Sequence, residues 1–160
     1  MTLNINDKAP VFELPEGPGQ MVDIGSEIES GPVVLLFFPL AFSSVCTEEL
    51  CAIRDDWSAW EALGARVFGI SVDSPFVVQK YKAESNLPFP LLSDFNKDVS
   101  IRYDAFHEDF MGLKGISKRA AFVIDRTGLI SYAWVTDDPG NMIEFDAIKN
   151  AVSACQATAG

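Results

Sequence analysis

The sequence predicts an α/β fold: a sandwich in which a mixed central β-sheet carries helices on both faces. Three observations indicate this class. Runs of β-branched and aromatic residues alternate with amphipathic helical stretches along the chain. The first run, VVLLFF at residues 33–38, is apolar without interruption, as in a strand covered on both faces. The last two runs are separated by only a short turn containing glycine, which predicts a hairpin.

The first half of the chain reads as strand, helix, strand. Residues 10–18 form a short extended piece followed by a turn-rich connection, and Pro39 ends the VVLLFF strand. Apolar residues then recur at intervals of four and three, which predicts one helix from Cys46 to about Leu63. Gly64 closes that helix, and ARVFGISV at 65–72 forms the second strand. Such a crossover makes the two strands parallel.

The second half adds three helices, one strand and a terminal hairpin. Ser74 is the expected N-cap and Pro75 the first residue of a helix that ends near Asn86. A loop with two glycines is expected at residues 107–118. The remaining predicted elements are a strand at 89–94, a brief helix at 96–103, hairpin strands at 120–125 and 129–135, and a last helix at 142–154.

Length and charge restrict the class of protein. A chain of 160 residues fits a single domain over 1–160, and no repeat or linker divides it. The net charge of −11, from 12 basic and 23 acidic residues, argues against a nucleic-acid or anionic-membrane partner. The N-terminus lacks a basic segment followed by an apolar core, and the longest apolar stretch is far below the roughly 20 residues of a membrane span. We therefore expect a cytoplasmic protein.

Cys46 is the first candidate for chemistry. It follows the loop after a buried strand and stands where a helix begins, a position at which unpaired backbone N–H groups and the helix dipole favour a thiolate. This loop also lies at the carboxyl end of a parallel strand, where ligands bind in sheets of this kind. Three cysteines are too few for a disulfide scaffold and indicate a catalytic or metal-binding role.

Pro39, Ser43 and Cys46 fit the pattern P-x-x-x-[ST]-x-x-C, and the chain resembles a peroxiredoxin, a thiol-dependent peroxidase. The resemblance covers nearly the whole chain, from APVFELP through LLSDFN to KRAAFVIDRTG. Cys51 follows Cys46 with four residues between them, which resembles the bacterioferritin-comigratory, or peroxiredoxin Q, branch. The resemblance implies a thioredoxin-like sandwich.

The resemblance also implies residue roles. Cys46 would attack the peroxide and become a sulfenic acid, while Arg119 would stabilise the thiolate and the departing oxygen. The Ser43 hydroxyl, where the family usually has threonine, would donate to the peroxide, and Pro39 would shape the loop and shield the sulfur. Glu49 would either orient the arginine or be an exposed glutamate of the first helical turn; both readings stay open.

Cys51 is implied to resolve the sulfenic acid as an intramolecular disulfide, although it could also be a core residue of the helix. Helical geometry places the Cα atoms of residues 46 and 51 about 8.7 Å apart. A disulfide tolerates less than about 7 Å, so resolution by Cys51 requires the first turns of the helix to unwind.

The same resemblance implies a hydroperoxide substrate, a thioredoxin- or glutaredoxin-like reductant, no cofactor or metal, and a monomer or homodimer. His107 lies among Phe106, Phe110 and Met111, a patch that would cover the active site, contact a second subunit or form local core. Cys155, without a motif around it, is read as structural or incidental, with intermolecular pairing or a second resolving thiol as the alternatives.

Two alternatives from other classes remain. A thioredoxin-like thiol-disulfide oxidoreductase would share the fold, but it uses C-x-x-C and a proline before the late strand, both lacking here. A metal-binding module could combine Cys46, Cys51, Cys155 and His107 in a zinc site, with ligands unusually far apart in sequence.

Overall fold

A computed structural model describes residues 3–158 of the chain; the predicted domain over 1–160 also includes residues 1, 2, 159 and 160, which lie outside this part. The strands are β1 (Glu13–Gly17), β2 (Gln20–Asp23), β3 (Val33–Phe37), β4 (Arg66–Ser71), β5 (Leu91–Ser93), β6 (Phe106–His107), β7 (Ile116–Ser117), β8 (Arg119–Ile124) and β9 (Ile130–Thr136). The helices are α1 (Ile24–Glu29), α2 (Ser44–Asp55), α3 (Trp57–Ala62), α4 (Pro75–Ser85), α5 (Asp98–Arg102) and α6 (Phe145–Thr158).

A mixed five-stranded sheet forms the centre of the fold, with the strand order β5-β4-β3-β8-β9. The uninterrupted apolar run occupies the middle position, as predicted. β3 pairs parallel with β4 and antiparallel with β8, while β4 pairs parallel with β5 and β8 antiparallel with β9. Two small antiparallel sheets, β1-β2 and β6-β7, complete the strands that the structure describes.

Successive β3 side chains point to opposite faces of the sheet and enter two different cores. Val34 and Leu36 pack with the buried residues of α2, α3, α4 and α6, whereas Val33, Leu35 and Phe37 pack with those of α1 and α5. All five side chains are fully buried. The predicted α/β sandwich with helices on both faces is thus confirmed. Within residues 3–158, no helix is long and apolar enough to cross a bilayer.

Strand register brings distant parts of the chain to one edge of the sheet. Because β8 runs antiparallel to β3, its second residue, Ala120, pairs with Phe37 at the end of β3. Arg119 therefore begins β8 beside the loop that leaves β3, although many residues separate the two in sequence. This edge is where the predicted chemistry was expected.

The helix after β4 begins and ends as predicted. The Ser74 hydroxyl oxygen accepts from the Val77 amide at 3.3 Å, and Pro75 is the first helical residue. Asn86 ends the helix in the left-handed conformation, with φ of 52°. The second strand, the strand at 91–93, the helix at 98–102 and the β8-β9 hairpin are likewise confirmed.

The predicted single helix over 46–63 is wrong, because the structure divides it at Asp56. This residue has φ of −113° and ψ of 24°, which ends α2 and precedes α3. Aspartate has a low helix propensity, and the Asp56 carboxylate accepts from Lys149 of α6. The division leaves both Ile53 and Trp60 buried in the same core.

Five short elements did not stand out in the sequence. The stretch read as extended and turn-rich forms the hairpin β1-β2, and α1 follows with Asp23 as its N-cap. The predicted loop over 107–118 contains the paired two-residue strands β6 and β7. The last helix begins at Phe145 rather than Met142.

Candidate active site

Cys46 is the third residue of α2 and lies beneath the loop that leaves β3, with 1% of its surface exposed. Pro39 ends the strand, and Ser43 adopts the extended N-cap conformation, with φ of −75° and ψ of 153°. The sulfur therefore belongs to the first helical turn, whose backbone N–H groups have no partner inside the helix. The predicted junction of strand, loop and helix is present.

Arg119 contacts Cys46 directly from the neighbouring strand. Its Nη2 donates to the Cys46 Sγ at 3.3 Å, its Nη1 to Glu49 Oε1 at 3.1 Å and its Nε to the Pro139 carbonyl at 3.2 Å. Only 1% of the arginine surface is exposed. Three acceptors, two on α2 and one in the loop after β9, thus hold the planar guanidinium in one orientation, with its charge against the sulfur.

Glu49 is fully buried, so the alternative of an exposed first-turn glutamate is wrong. It follows Cys46 by three residues, which places both side chains on one face of α2 and facing Arg119. Burial raises the pKa of the Glu49 carboxyl to about 7, even though the arginine acts in the opposite direction. Its Oε2 atom is buried without a hydrogen-bond partner, so Arg119 alone binds this carboxylate among the described residues.

Ser43 lines the same cavity as Cys46, but its hydroxyl is bonded to the backbone. It is exposed, and its hydroxyl donates to the Leu40 carbonyl at 2.9 Å. This bond uses the single hydrogen of the hydroxyl. Pro39 is buried next to it. To donate to a bound peroxide, the Ser43 hydroxyl has to exchange the Leu40 carbonyl for the ligand.

A cavity of about 240 Å³ connects these residues. Two prolines, Pro39 and Pro139, line it together with the buried side chains of Cys46 and Arg119. Most of the remaining wall is apolar. The lining residues are Pro39, Leu40, Ser43, Ser44, Val45, Cys46, Phe110, Leu113, Ile116, Arg119, Pro139 and Gly140.

Phe110 and Leu113 form one wall through a tight turn. Each donates its amide to the carbonyl of the other, at 2.8 and 2.9 Å, and Met111 and Gly112 between them have φ of 52° and 87°. Of the predicted aromatic patch, Phe110 thus lines the cavity and stacks on His107 at 5.0 Å, while Met111 is 88% exposed.

Pro139 is a site residue that sequence reasoning missed. Its carbonyl binds Arg119, and its ring borders the cavity. The signal was present in the hairpin, since β9 returns antiparallel to β8 and Thr136 pairs with Arg119. The residues after Thr136 had to emerge beside the arginine.

None of the three cysteines, all of which lie in the described part of the chain, forms a disulfide. Cys51 is half-buried on the same uninterrupted helix as Cys46, so the separation expected from helical geometry applies. Cys155 is buried in α6, where its thiol donates to the Ser131 hydroxyl at 3.3 Å. Within residues 3–158, no three side chains of His, Cys, Asp or Glu are grouped to hold a metal, so the predicted zinc alternative lacks its ligand set.

A second and larger cavity, of about 490 Å³, lies at the opposite edge of the sheet, where β4 begins. Trp57, Arg66 and Phe89 are among its lining residues, and Arg66 is paired there with Glu27. It contains no cysteine. Size alone would select this cavity, but Cys46 and Arg119 line the smaller one.

Comparison with known proteins gives a consistent result. The AhpC/TSA family matches residues 5–133. A protein of Coxiella burnetii assigned the name peroxiredoxin bcp is 36% identical over 140 residues, which cover 84% of this chain and 89% of that protein. Alkyl hydroperoxide reductase E of Mycobacterium tuberculosis is 34% identical, over 97% of this chain and 99% of that protein.

Solved structures agree with this match. The crystal structure of the peroxidoxin BcpB from Mycobacterium tuberculosis superposes with a TM-score of 0.81 at 28% identity, covering 97% of each chain. The reduced 2-Cys peroxiredoxin of Plasmodium vivax gives a TM-score of 0.83 at 26% identity, over 97% of this chain and 83% of that one. The thioredoxin-like form of the predicted sandwich is confirmed by these neighbours.

Proposed function

Because the chain belongs to the AhpC/TSA family and is a thiol peroxidase of the peroxiredoxin type, we propose that Cys46 is its peroxidatic nucleophile. The contact between Arg119 and the Cys46 sulfur, at 3.3 Å inside a cavity with apolar walls, carries this proposal. A buried guanidinium stabilises a thiolate and can stabilise the charge that develops on a departing oxygen.

In the first step, the Cys46 thiolate attacks the terminal oxygen of a hydroperoxide, ROOH. The S–O bond forms as the O–O bond breaks, which gives a sulfenic acid and an alkoxide that takes a proton and leaves as ROH. Hydrogen peroxide gives water instead. Arg119 faces the reacting atoms, and Ser43 and the first-turn amides of α2 are the further donors that the cavity offers.

Glu49 and Pro139 support this step without touching the peroxide. Each accepts one hydrogen bond from Arg119 and so fixes the plane of the guanidinium. Pro39 has no N–H to offer, and its buried ring excludes water from the sulfur. We assign these three residues as positioning groups.

In the second step, Cys51 attacks the sulfenic sulfur, which forms a Cys46–Cys51 disulfide and releases water. Both cysteines lie in α2, and the Cα separation of about 8.7 Å in an intact helix exceeds what a disulfide spans. The first turns of α2 therefore unwind in this step. The four-residue spacing between the cysteines supports the assignment.

A dithiol reductant then restores both thiols. We propose a thioredoxin- or glutaredoxin-like protein, whose dithiol is oxidised as the Cys46–Cys51 bond is reduced. A reducing compartment such as the cytoplasm suits this cycle, because the reductant must stay reduced.

We also propose that residues 1–160 form one domain, as a monomer or homodimer. Both hydrophobic cores share β3, and no linker interrupts the described chain.

Single-turnover oxidation tests the proposal. Wild-type protein and the variants Cys46→Ser, Cys51→Ser and Cys155→Ser are mixed with one equivalent of hydrogen peroxide or cumene hydroperoxide, and peroxide loss, sulfenic acid and disulfide are measured. We expect Cys46→Ser to be inert, Cys51→Ser to stop at the sulfenic acid, and Cys155→Ser to match wild type. Peroxidase activity in Cys46→Ser would refute the proposal. Normal disulfide formation in Cys51→Ser would refute only the assignment of the resolving cysteine.

A further inference from the structure

A chain of hydrogen bonds connects α4 to the first turn of α2. The Tyr81 hydroxyl lies 2.8 Å from Thr47 Oγ1, and Thr47 Oγ1 lies 2.8 Å from the Ser43 carbonyl. The Thr47 amide also donates to that carbonyl, at 3.0 Å. Thr47 directly follows Cys46, so this chain ends at the backbone around the reactive sulfur.

The direction of the chain follows from the available hydrogens. A carbonyl can only accept, so Thr47 uses its single hydroxyl hydrogen on Ser43. Tyr81 must then donate to Thr47, since Thr47 has no second hydrogen. Burial raises the pKa of Tyr81, which keeps its hydroxyl protonated and able to donate at neutral pH.

Tyr81 is well placed to hold this part of the molecule. It is 1% exposed, and its ring packs against Phe38 at 6.1 Å and Phe42 at 4.6 Å. Phe42 itself has φ of 67°, a conformation that is strained for a residue with a large side chain. A loop held in such a conformation relaxes when its contacts are lost, so the contacts with Tyr81 oppose its release.

We propose that Tyr81 and Thr47 are positioning residues that hold the first turn of α2 folded and thereby set how long the Cys46 sulfenic acid persists before Cys51 captures it. This inference rests on the proposed function. Unwinding of α2 moves Ser43 and Thr47, so the Tyr81–Thr47–Ser43 chain has to break before the disulfide can form.

The sulfenic acid has two fates, and the stability of the Tyr81–Thr47–Ser43 hydrogen bonds selects between them. Attack by the Cys51 thiol gives the disulfide and water, and it needs the unwound helix. Attack on a second hydroperoxide gives a sulfinic acid and an alcohol, and it needs the intact site that Arg119 completes. A longer-lived folded turn therefore raises the fraction of enzyme lost as sulfinic acid.

Tyr81→Phe and Thr47→Val test this inference, with Tyr103→Phe as the matched control. Tyr103 is another fully buried tyrosine whose hydroxyl makes one hydrogen bond, to the Pro10 carbonyl, but it lies in the core on the other face of the sheet. Two readouts are required: hydrogen exchange of the Thr47 amide in the reduced protein, and the ratio of disulfide to sulfinic acid over a series of hydroperoxide concentrations.

Loss of one such hydrogen bond should raise the unwound population about fivefold. We expect Tyr81→Phe to speed exchange of the Thr47 amide and to raise the ratio of disulfide to sulfinic acid, each by about that factor. Thr47→Val should change both readouts at least as strongly. Tyr103→Phe should leave both readouts unchanged. Unchanged Thr47 exchange in Tyr81→Phe overturns the inference, whatever Cys51 does. So does an unchanged product ratio in a protein whose wild type forms the disulfide. Absence of the disulfide from wild type instead contradicts the proposed function.

Discussion

The two halves of the site are held in different ways. The sheet-borne half, Arg119 with its partner Pro139, starts from β8, an interior strand that is hydrogen-bonded to β3 on one side and β9 on the other. The helix-borne half, Ser43 and Cys46, depends on the first turn of α2 and on the contacts of Thr47 and Tyr81. A peroxidase of this type must both fix the sulfur and release it. The sheet supplies the fixed charge, whereas the proposed resolution by Cys51 places the movement in the helix.

Arg119→Lys gives the largest expected effect, because it alters the sheet-borne half. Lysine keeps the charge but cannot direct separate N–H groups to Cys46, Glu49 and the Pro139 carbonyl. We expect the second-order rate constant for peroxide to fall about 100-fold, the usual loss when one charge-stabilising donor is removed. Stopped-flow oxidation measures it.

Arg102→Lys is the control for that substitution. Arg102 lies on α5 and donates to the Val11 carbonyl, outside the cavity that contains Cys46. The Arg102→Lys variant should react with peroxide at the wild-type rate. Equal rates for Arg119→Lys and wild type would show that charge alone, without the guanidinium geometry, suffices.

Redox-dependent hydrogen exchange tests the proposed movement of the helix-borne half. We expect amides in residues 44–54 to lose protection in the oxidised protein, because a Cys46–Cys51 disulfide cannot form across an intact helix. Amides of Val33–Phe37 should remain equally protected in both states, since this strand is fully buried in the middle of the sheet. Equal protection of residues 44–54 in the two redox states would contradict the unwinding.

Glu49→Gln tests how the buried carboxyl that pairs with Arg119 links the free energy of unfolding to pH. Burial raises the pKa of the Glu49 carboxyl from an ordinary 4.5 to about 7. Between these two pH values, the folded protein therefore holds a proton on Glu49 that the unfolded chain has released. This contribution to stability is fully present below about pH 4.5 and is lost as pH rises through about 7. Urea unfolding over this range should show a smaller pH dependence in Glu49→Gln than in wild type.

Glu48→Gln supplies the control for the pH experiment, because this neighbouring glutamate is exposed. It should retain the wild-type dependence of the unfolding free energy on pH. If Glu49→Gln and Glu48→Gln gave the same profile, the buried carboxyl would not be the group that links stability to pH.

Ser43→Thr should have the smallest effect. A β-branched side chain restricts rotation of the hydroxyl, which in wild type donates to Leu40. We expect the rate of peroxide reaction to rise about twofold, whereas Ser43→Ala, which lacks the hydroxyl, should slow it about tenfold. A wild-type rate in Ser43→Ala would remove Ser43 from the site.

Much of the fold and of the site could be predicted from the sequence because the signals were local. The central strand followed from an apolar run, and the N-cap of α4 from Ser74 and Pro75. The juxtaposition of Cys46 and Arg119 followed from family resemblance, since nothing within either segment refers to the other. The structure brings them together through the register of β3 with β8.

What could not be predicted depends on long-range packing. The break at Asp56 leaves the apolar periodicity almost intact, so the helical pattern continued through it. Burial of Glu49 depends on Arg119 being opposite, and an acidic residue in a first helical turn is equally common on a surface. The Thr47–Tyr81 bond joins residues on separate helices that no spacing rule connects.

The antiparallel placement of β8 also determines when Arg119 can reach the Cys46 thiol during folding. Cys46 and Arg119 are separated by 73 positions, so their contact forms only after a long loop has closed and β8 has inserted beside β3. During synthesis, Cys46 leaves the ribosome well before the arginine that completes its site. Until then the Cys46 thiol lacks the guanidinium that contacts it in the folded protein.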